Sequence, residues 1–407
     1  MKKTLLAAAL LAGFAGAASA QSSVTLYGIL DVGLVYQNVS YTTNAGNDVG
    51  ETRFGMNSGQ QSGNRWGLKG VEDLGGGNQV IFNIENGFSL GNGMTAQDGR
   101  EFGRAAWLGL QNAAWGSVKA GRQVAVAYDY VGASGIDPFY MGLAQANMGN
   151  TFTTVTNVRY DNLLKYETPT LSGFKASLGY SFATGMAGYY ATGTGVATSA
   201  ASAAADYNFA TQNNSTALTF GAQYANGPIY IAATYDQVNS NPNLVPGNAT
   251  AANPKAWILG GSYDFKVVKL SLAYGQSRGG VIGAGSNLAK VVSGSAPTAA
   301  GSINTSGSYS LFSDGVGFNS YLVGLSAPIG GNSKVFGSWQ MAQPNGNLQS
   351  YAPAVIGVNN MNIYSIGYQY DFSKRTNLYS YISYAQNYGF VDSAKSTIVG
   401  VGMRHMF

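Results

Sequence analysis

Cysteine is absent from this 407-residue chain, so neither disulfides nor thiolate metal sites can hold its fold. Charge is scarce. Asp, Glu, Lys and Arg make up 10% of residues, where a soluble domain carries about 25%. Long hydrophobic runs are missing too: after Ala20 no apolar stretch reaches the roughly 18 residues that would suggest a spanning helix. No basic excess is present either. Setting aside Lys2 and Lys3 leaves 20 basic against 18 acidic residues, a formal +2, which argues against nucleic acid as a partner. Histidine occurs once, at position 405, too few donors for a metal cluster and a poor start for a Ser-His-acid triad. No metal and no cofactor is expected.

What is present points elsewhere. Lys2 and Lys3 precede the short apolar run Leu5 to Ala18, and Ala18-Ser19-Ala20 supplies a small-residue cleavage pattern. Residues 1–20 therefore read as a signal peptide and 21–407 as one exported domain. There are 57 glycines, 27 tyrosines and 18 phenylalanines, and the mean hydropathy is −0.02. Such a composition suits a sheet with oil on one face and water on the other, a membrane barrel without a separate dry core.

Turn-forming residues divide the chain. Short connections are expected at 72–77, 112–116, 169–173, 226–228, 265–267, 328–332 and 373–375. Longer polar stretches lie near 40–63, 89–100, 124–157, 184–214, 239–254, 279–317, 343–362 and 388–394. Seven turns and eight loops join sixteen strands, an even number that leaves both ends on one side. The Ala-rich run 197–205 and the Gly-rich piece 283–286 fall in loops and carry no functional reading.

Individual strands show the two-residue period. Val399, Val401, Met403 and Phe407 share one face, expected to meet lipid, while Gly400, Gly402, Arg404 and Met406 face the lumen. Trp66 and Leu68 point to lipid, Arg65 and Lys69 to water. Tyr224, Tyr230, Tyr235, Tyr263 and Tyr274 are expected in the interfacial aromatic girdle.

Several segments then resemble the Gram-negative general porins, particularly the trimeric porins of β-proteobacteria and Neisseria. They are Val24-Thr25-Leu26-Tyr27-Gly28-Ile29-Leu30-Asp31, Asn64-Arg65-Trp66-Gly67-Leu68-Lys69-Gly70 and Glu72-Asp73-Leu74-Gly75-Gly76-Gly77. Further on come Arg104-Ala105-Ala106-Trp107-Leu108-Gly109-Leu110, Gly116-Ser117-Val118-Lys119-Ala120-Gly121-Arg122-Gln123 and the closing Gly402-Met403-Arg404-His405-Met406-Phe407. The resemblance implies an all-β transmembrane antiparallel barrel in the cell outer membrane, whose third extracellular loop folds inward. It implies a homotrimer among outer-membrane lipid and lipopolysaccharide, passing small hydrophilic solutes and ions. Phe407 and His405 would belong to the strand read by the barrel assembly machinery.

The same resemblance assigns the pore. Arg65, Arg104 and Arg159 match a basic wall, Arg122 and Lys69 are weaker members, and the constriction loop carries Asp129 and Asp137. Asp137, in Ile136-Asp137-Pro138-Phe139, is similar to the acidic proline-phenylalanine segment at the loop tip. Arginine keeps its charge at every relevant pH, so a modest anion preference is expected. The alternatives are a substrate-selective channel for sugars or organic acids, a barrel enzyme such as a lipase or protease, and a closed structural barrel.

Overall fold

Alternation builds the wall. In Ile229–Asn239, Ile229 and Ile231 are exposed while Ala232, Thr234, Asp236 and Val238 are buried, because successive side chains leave a strand on opposite faces. The computed structural model describes residues 22–42, 46–155, 159–184, 214–240, 253–280, 317–345, 359–390 and 392–407. The expected signal peptide and the runs 197–205 and 283–286 lie outside the described residues.

The strands are β1 (Ser23–Thr42), β2 (Asp48–Ser58), β3 (Arg65–Gly75), β4 (Asn78–Gly87), β5 (Ala105–Asn112) and β6 (Gly116–Val124). After a long connection come β7 (Arg159–Glu167), β8 (Phe174–Ser181), β9 (Thr216–Asn226), β10 (Ile229–Asn239), β11 (Lys255–Asp264) and β12 (Lys269–Arg278). The chain ends with β13 (Gly317–Pro328), β14 (Ser333–Asn345), β15 (Met361–Asp371), β16 (Thr376–Gln386) and β17 (Lys395–Met406).

Every pairing is antiparallel, and β1 closes the sheet on β17 from Ile29↔Met406 to Ser40↔Lys395. The opposite edge of β1 carries two segments. β2 pairs with its upper half, from Thr42↔Asp48 to Val32↔Ser58, and β3 with its lower half, from Ile29↔Arg65 to Ser23↔Val71. They are one wall strand interrupted at 59–64, so seventeen segments make sixteen barrel positions. Among the described residues every strand but β2, which pairs only with β1, is bonded on both sides, and the cylinder closes as a membrane demands.

All seven expected turns mark junctions between strands, although the first is shorter than expected because Glu72–Gly75 belong to β3 and only Gly76 and Gly77 connect it to β4. The stretch 40–63 differs: β1 runs to Thr42 and β2 occupies Asp48–Ser58. Phe54 and Met56, both strongly exposed, give β2 its apolar outer face, alternating with Arg53, Gly55 and Asn57. The glycine and polar residues there form the other face of a strand rather than a loop. Tyr230 also differs from expectation. It stands on the Ala232–Thr234 side of β10, and its hydroxyl donates to the Tyr130 carbonyl at 2.6 Å and Gln223 Oε1 at 2.8 Å. Tyr235, Tyr263 and Tyr274 instead pack against outward neighbours Phe220, Phe265 and Trp257, the first two rings tilted and the third edge-to-face.

The most deeply packed part of the chain is residues 125–155, between β6 and β7. It opens with one turn of π-helix, Tyr128–Gly132. Its Val126, Val131, Ile136, Met148, Phe152 and Val155 bury against Ala232, Ile258, Ala273 and Leu322 of β10–β13. Phe139, Leu143 and Ala146 bury against Val35, Phe336, Tyr379, Tyr381 and Ile398. Those wall residues lie on the faces opposite the exposed outer row. Small residues make the approach possible: a Cβ at Gly142 would stand 2.0 Å from the Gln61 carbonyl oxygen.

Candidate functional site

Five arginines gather where β3–β7 meet the connections above them. Arg104, just before β5, donates from Nε to Glu85 Oε1 of β4 at 2.6 Å, and Arg65, opening β3, reaches the same oxygen at 4.0 Å. Arg65 Nε also donates to the Gly63 carbonyl at 2.9 Å. Arg159, opening β7, donates from Nε to the Arg104 carbonyl at 2.7 Å. Arg122 of β6 and Arg100 of the 88–104 connection bind the two oxygens of Asp161, at 2.5 and 2.7 Å. Glu85 accepts in addition from the Tyr27 hydroxyl at 2.8 Å.

Strand register explains the gathering. Ala105 pairs with Glu85 and Arg65 with Gly87, so the residues at these strand ends share one level. Asp161 follows Arg159 by two and stands on the same face. Charge-assisted bonds of this kind are short and directional. Two carboxylates among five guanidiniums leave the cluster net positive. Exposure is uneven: the side chains of Arg65 and Arg122 are each 18% exposed and that of Arg104 only 4%. Water therefore meets Arg65, Arg100 and Arg122 more than Arg104 or Arg159.

Lys69 stands four residues along β3 from Arg65, its Nζ 5.4 Å from the Tyr27 ring centroid, and does not join the cluster. Asp129 pairs with Lys165 at 2.8 Å near the root of the 125–155 segment. Asp137 is fully buried. Its Oδ1 accepts from the Phe139 amide at 3.0 Å and its Oδ2 from those of Met141 and Met148, both at 3.1 Å. Burial pushes this carboxyl up to about 6, against the pull of the three amides. It fastens its own segment and does not face the arginines across open space.

The ends of β1 and β17 meet at the turn-side rim. Gly28 and Phe407 exchange backbone hydrogen bonds at 3.0 and 3.1 Å. His405 is exposed, and its Nδ1 lies 2.8 Å from Thr376 Oγ1. Among the described residues no group of three or more His, Cys, Asp or Glu could hold a metal.

Sequence reasoning passed over Glu85, Asp161 and Arg100. Asp161 had a signal, its two-residue spacing from Arg159. Glu85 shows its role only once the β4–β5 register is known, and Arg100 lies in a connection with no periodicity.

Comparison with known proteins gives a consistent answer. The family model of the Gram-negative porins matches residues 7–389. An outer membrane porin protein of Bordetella pertussis (strain Tohama I) is 48% identical over 414 residues, covering all of both chains. Outer membrane porin protein 32 of Delftia acidovorans is 30% identical over 428 residues, again covering all of both. Among solved structures, an anion-selective porin from Comamonas acidovorans superposes with a TM-score of 0.66 at 24% identity, covering 95% of this chain and 100% of that one. With a closed sixteen-position barrel, a basic cluster at its strand ends and full-length relatives of this kind, the chain belongs to the Gram-negative porin family.

Proposed function

We propose that this outer-membrane barrel passes small hydrophilic solutes and ions by passive diffusion, with a modest preference for anions, through a lumen narrowed by residues 125–155. The observation that carries the preference is the excess of guanidinium over carboxylate around Glu85 and Asp161. Porins transport and do not catalyse, and selectivity in such a pore comes from its width and the charges lining it. The apolar contacts of 125–155 with β10–β14 support its role as the narrowing element. Arg65, Arg122 and Arg104 form its basic wall, with Arg159 bracing Arg104 through the backbone. On this reading Lys69 and Asp129 lie away from the narrowest level and Asp137 shapes the segment from within.

A unit charge pair several ångströms apart interacts by about 1 kcal/mol in bulk water and several times that in a narrow pore. That biases ion entry without trapping the ion. Homotrimeric assembly among outer-membrane lipid and lipopolysaccharide belongs to the same proposal, supported by family membership. So do export by residues 1–20 and recognition of the β17 end, with Phe407 and His405, by the barrel assembly machinery.

Reversal potentials across planar bilayers in a KCl gradient test the reading. The wild type should prefer chloride at low salt, and the preference should fade toward 1 M, where the screening length is about 3 Å. Arg65→Gln with Arg122→Gln should move the reversal potential toward cations. Cation preference of the wild type at low salt would overturn the proposal.

A further inference from the structure

We propose a second anion-binding subsite in the periplasmic half of the lumen, formed by Lys269, Lys334, Arg404 and the Tyr140 ring, that takes a small oxyanion such as phosphate or a carboxylate. It rests on the pore reading above and adds a station separate from the arginine cluster.

The three cations come from the turn-side ends of distant strands. Lys269 opens β12, Lys334 is the second residue of β14, and Arg404 lies three residues before the end of the chain on β17. Each stands on the inner face by alternation: Lys269 with Ser271 and Ala273, Lys334 with Phe336, Arg404 with Gly402 and Gly400. They converge on the tip of the 125–155 segment. Lys269 Nζ donates to the Gly135 carbonyl at 2.8 Å. A Cβ at Gly135 would meet that Nζ at 3.2 Å and Tyr140 Cε1 at 3.3 Å, so ammonium and ring flank the same point. Lys334 Nζ lies 4.8 Å from the Tyr140 centroid and 5.8 Å from that of Phe336, contacts that hold the ammonium between two rings. Arg404 Nη1 donates to Ser62 Oγ at 3.0 Å, while its Nε is buried without a partner.

What sets this group apart is that no carboxylate is bonded into it. The arginine cluster has Glu85 and Asp161 bonded into it, but among the described residues no carboxylate lies within 4.0 Å of Lys269, Lys334 or Arg404. Three carboxylates act on the group from beyond ion-pair distance, and each is taken up elsewhere. Asp371, in range of Lys334 and Arg404, is taken up by Gln369 Nε2 at 2.6 Å. Asp31, in range of Arg404, is taken up by the Gln60, Gln61 and Ser62 amides and the Tyr379 hydroxyl, and Asp264, in range of Lys269, by the Lys266 amide at 2.7 Å. A cluster of half-buried cations with no carboxylate in direct contact leaves its N–H donors open to an anion. The fit to an oxyanion follows from the donors: guanidinium and ammonium groups offer several N–H bonds to separate oxygens, which chloride lacks.

The loop tip is built to present the ring. Asp137 draws in the amides of Phe139, Met141 and Met148, Phe139 stacks edge-on to Phe336 at 5.0 Å, and Tyr140 is left 49% exposed at φ 50°. A bulky residue in the left-handed region needs such surroundings to hold it.

Single-channel recording of the intact purified protein, with inorganic phosphate added separately to each side in a KCl background, tests the subsite. Phosphate should reduce the chloride current saturably and more readily from the turn side. Lys334→Gln and Arg404→Gln should each weaken that block about tenfold, the loss of one charge-assisted bond. Lys269→Gln offers a third variant should Arg404→Gln fail to yield folded barrels. Arg65→Gln with Arg122→Gln should keep the turn-side block while shifting the reversal potential in plain KCl. Equal block in wild type, Lys334→Gln and Lys269→Gln would overturn the subsite, as would loss of turn-side block in the upper double variant alone. A cation-preferring wild type would fail the pore reading instead.

Discussion

Asp137 shows how one side chain can carry a family-like motif and act in another way. The acidic proline-phenylalanine pattern leads one to look for a carboxylate facing the pore. The carboxylate instead turns inward on three amides, and the residue that meets water is Tyr140. Its ionisation then bears on stability. With the folded carboxyl pushed up to about 6 from an ordinary 3.8, the folded state holds the proton more tightly than the unfolded chain does. The resulting stabilisation is complete below the unfolded value and fades as pH rises through about 6. Asp137→Asn lacks this linkage. The melting-temperature difference, wild type minus Asp137→Asn, should therefore be larger near about pH 4 than near about pH 7.5. Taking the difference cancels the opposing pH dependence of carboxylates elsewhere in the barrel. A difference that stays flat with pH would contradict the buried, desolvated carboxyl.

At the scale of elements, the interruption between β2 and β3 does more than bend a strand. Residues 59–64 fold over the Asp31 carboxylate, which accepts from the amides of Gln60 at 3.2 Å, Gln61 at 2.9 Å and Ser62 at 2.7 Å, and from the Tyr379 hydroxyl at 2.5 Å. The Gln60 carbonyl so presented accepts the Leu143 amide at 2.5 Å. Gln145 reaches the Ser383 and Ser396 carbonyls at 3.0 and 3.2 Å, so the far end of the 125–155 segment is tied to both sides of the seam. Asp31→Ala would leave three amides without their acceptor, a cost of about 3 kcal/mol or more. The expected outcome is a lower melting temperature with added open-channel current noise, because the segment loses its dock. A quiet channel of wild-type stability would show the dock to be dispensable.

None of this dock could be read from the sequence. Asp31 sits in a recognisable first-strand pattern, but its partners are 29 to 348 residues away. The wall itself was legible because it is periodic and its turns are marked by glycine, proline and asparagine. Arg65, Arg104 and Arg159 were legible for a related reason, as family-like residues at strand ends. Residues 59–64 follow no period, and their Gly-Gln-Gln-Ser-Gly-Asn composition reads as an ordinary loop. Tyr230 fails in the same way. Composition places a tyrosine at an interface, and only the parity of its strand reveals that it faces the lumen.

For the whole molecule, the proposed function makes closing the cylinder and shaping the pore one problem. The seam is completed where Gly28 and Phe407 exchange backbone bonds and the Phe407 ring lies over Gly28. A Cβ there would stand 2.3 Å from Phe407 Cζ and 2.8 Å from the Arg65 carbonyl oxygen. The ring could rotate away, but the carbonyl belongs to the first residue of β3 and is fixed by the β1–β3 ladder. Gly28→Ala must therefore push on the strand that carries Arg65, whose guanidinium shares Glu85 with Arg104. Overpacking of this kind costs about 1–3 kcal/mol. The variant should unfold at lower temperature, measured by the heat-induced mobility shift in unheated gels, and its single-channel conductance should change although no charge has been altered. Gly331→Ala, in a turn where a new Cβ meets nothing within 4 Å, should change neither. If Gly28→Ala lost stability but kept wild-type conductance and selectivity, the seam would be mechanically separate from the basic cluster. The Arg65 carbonyl contact predicts that the two move together.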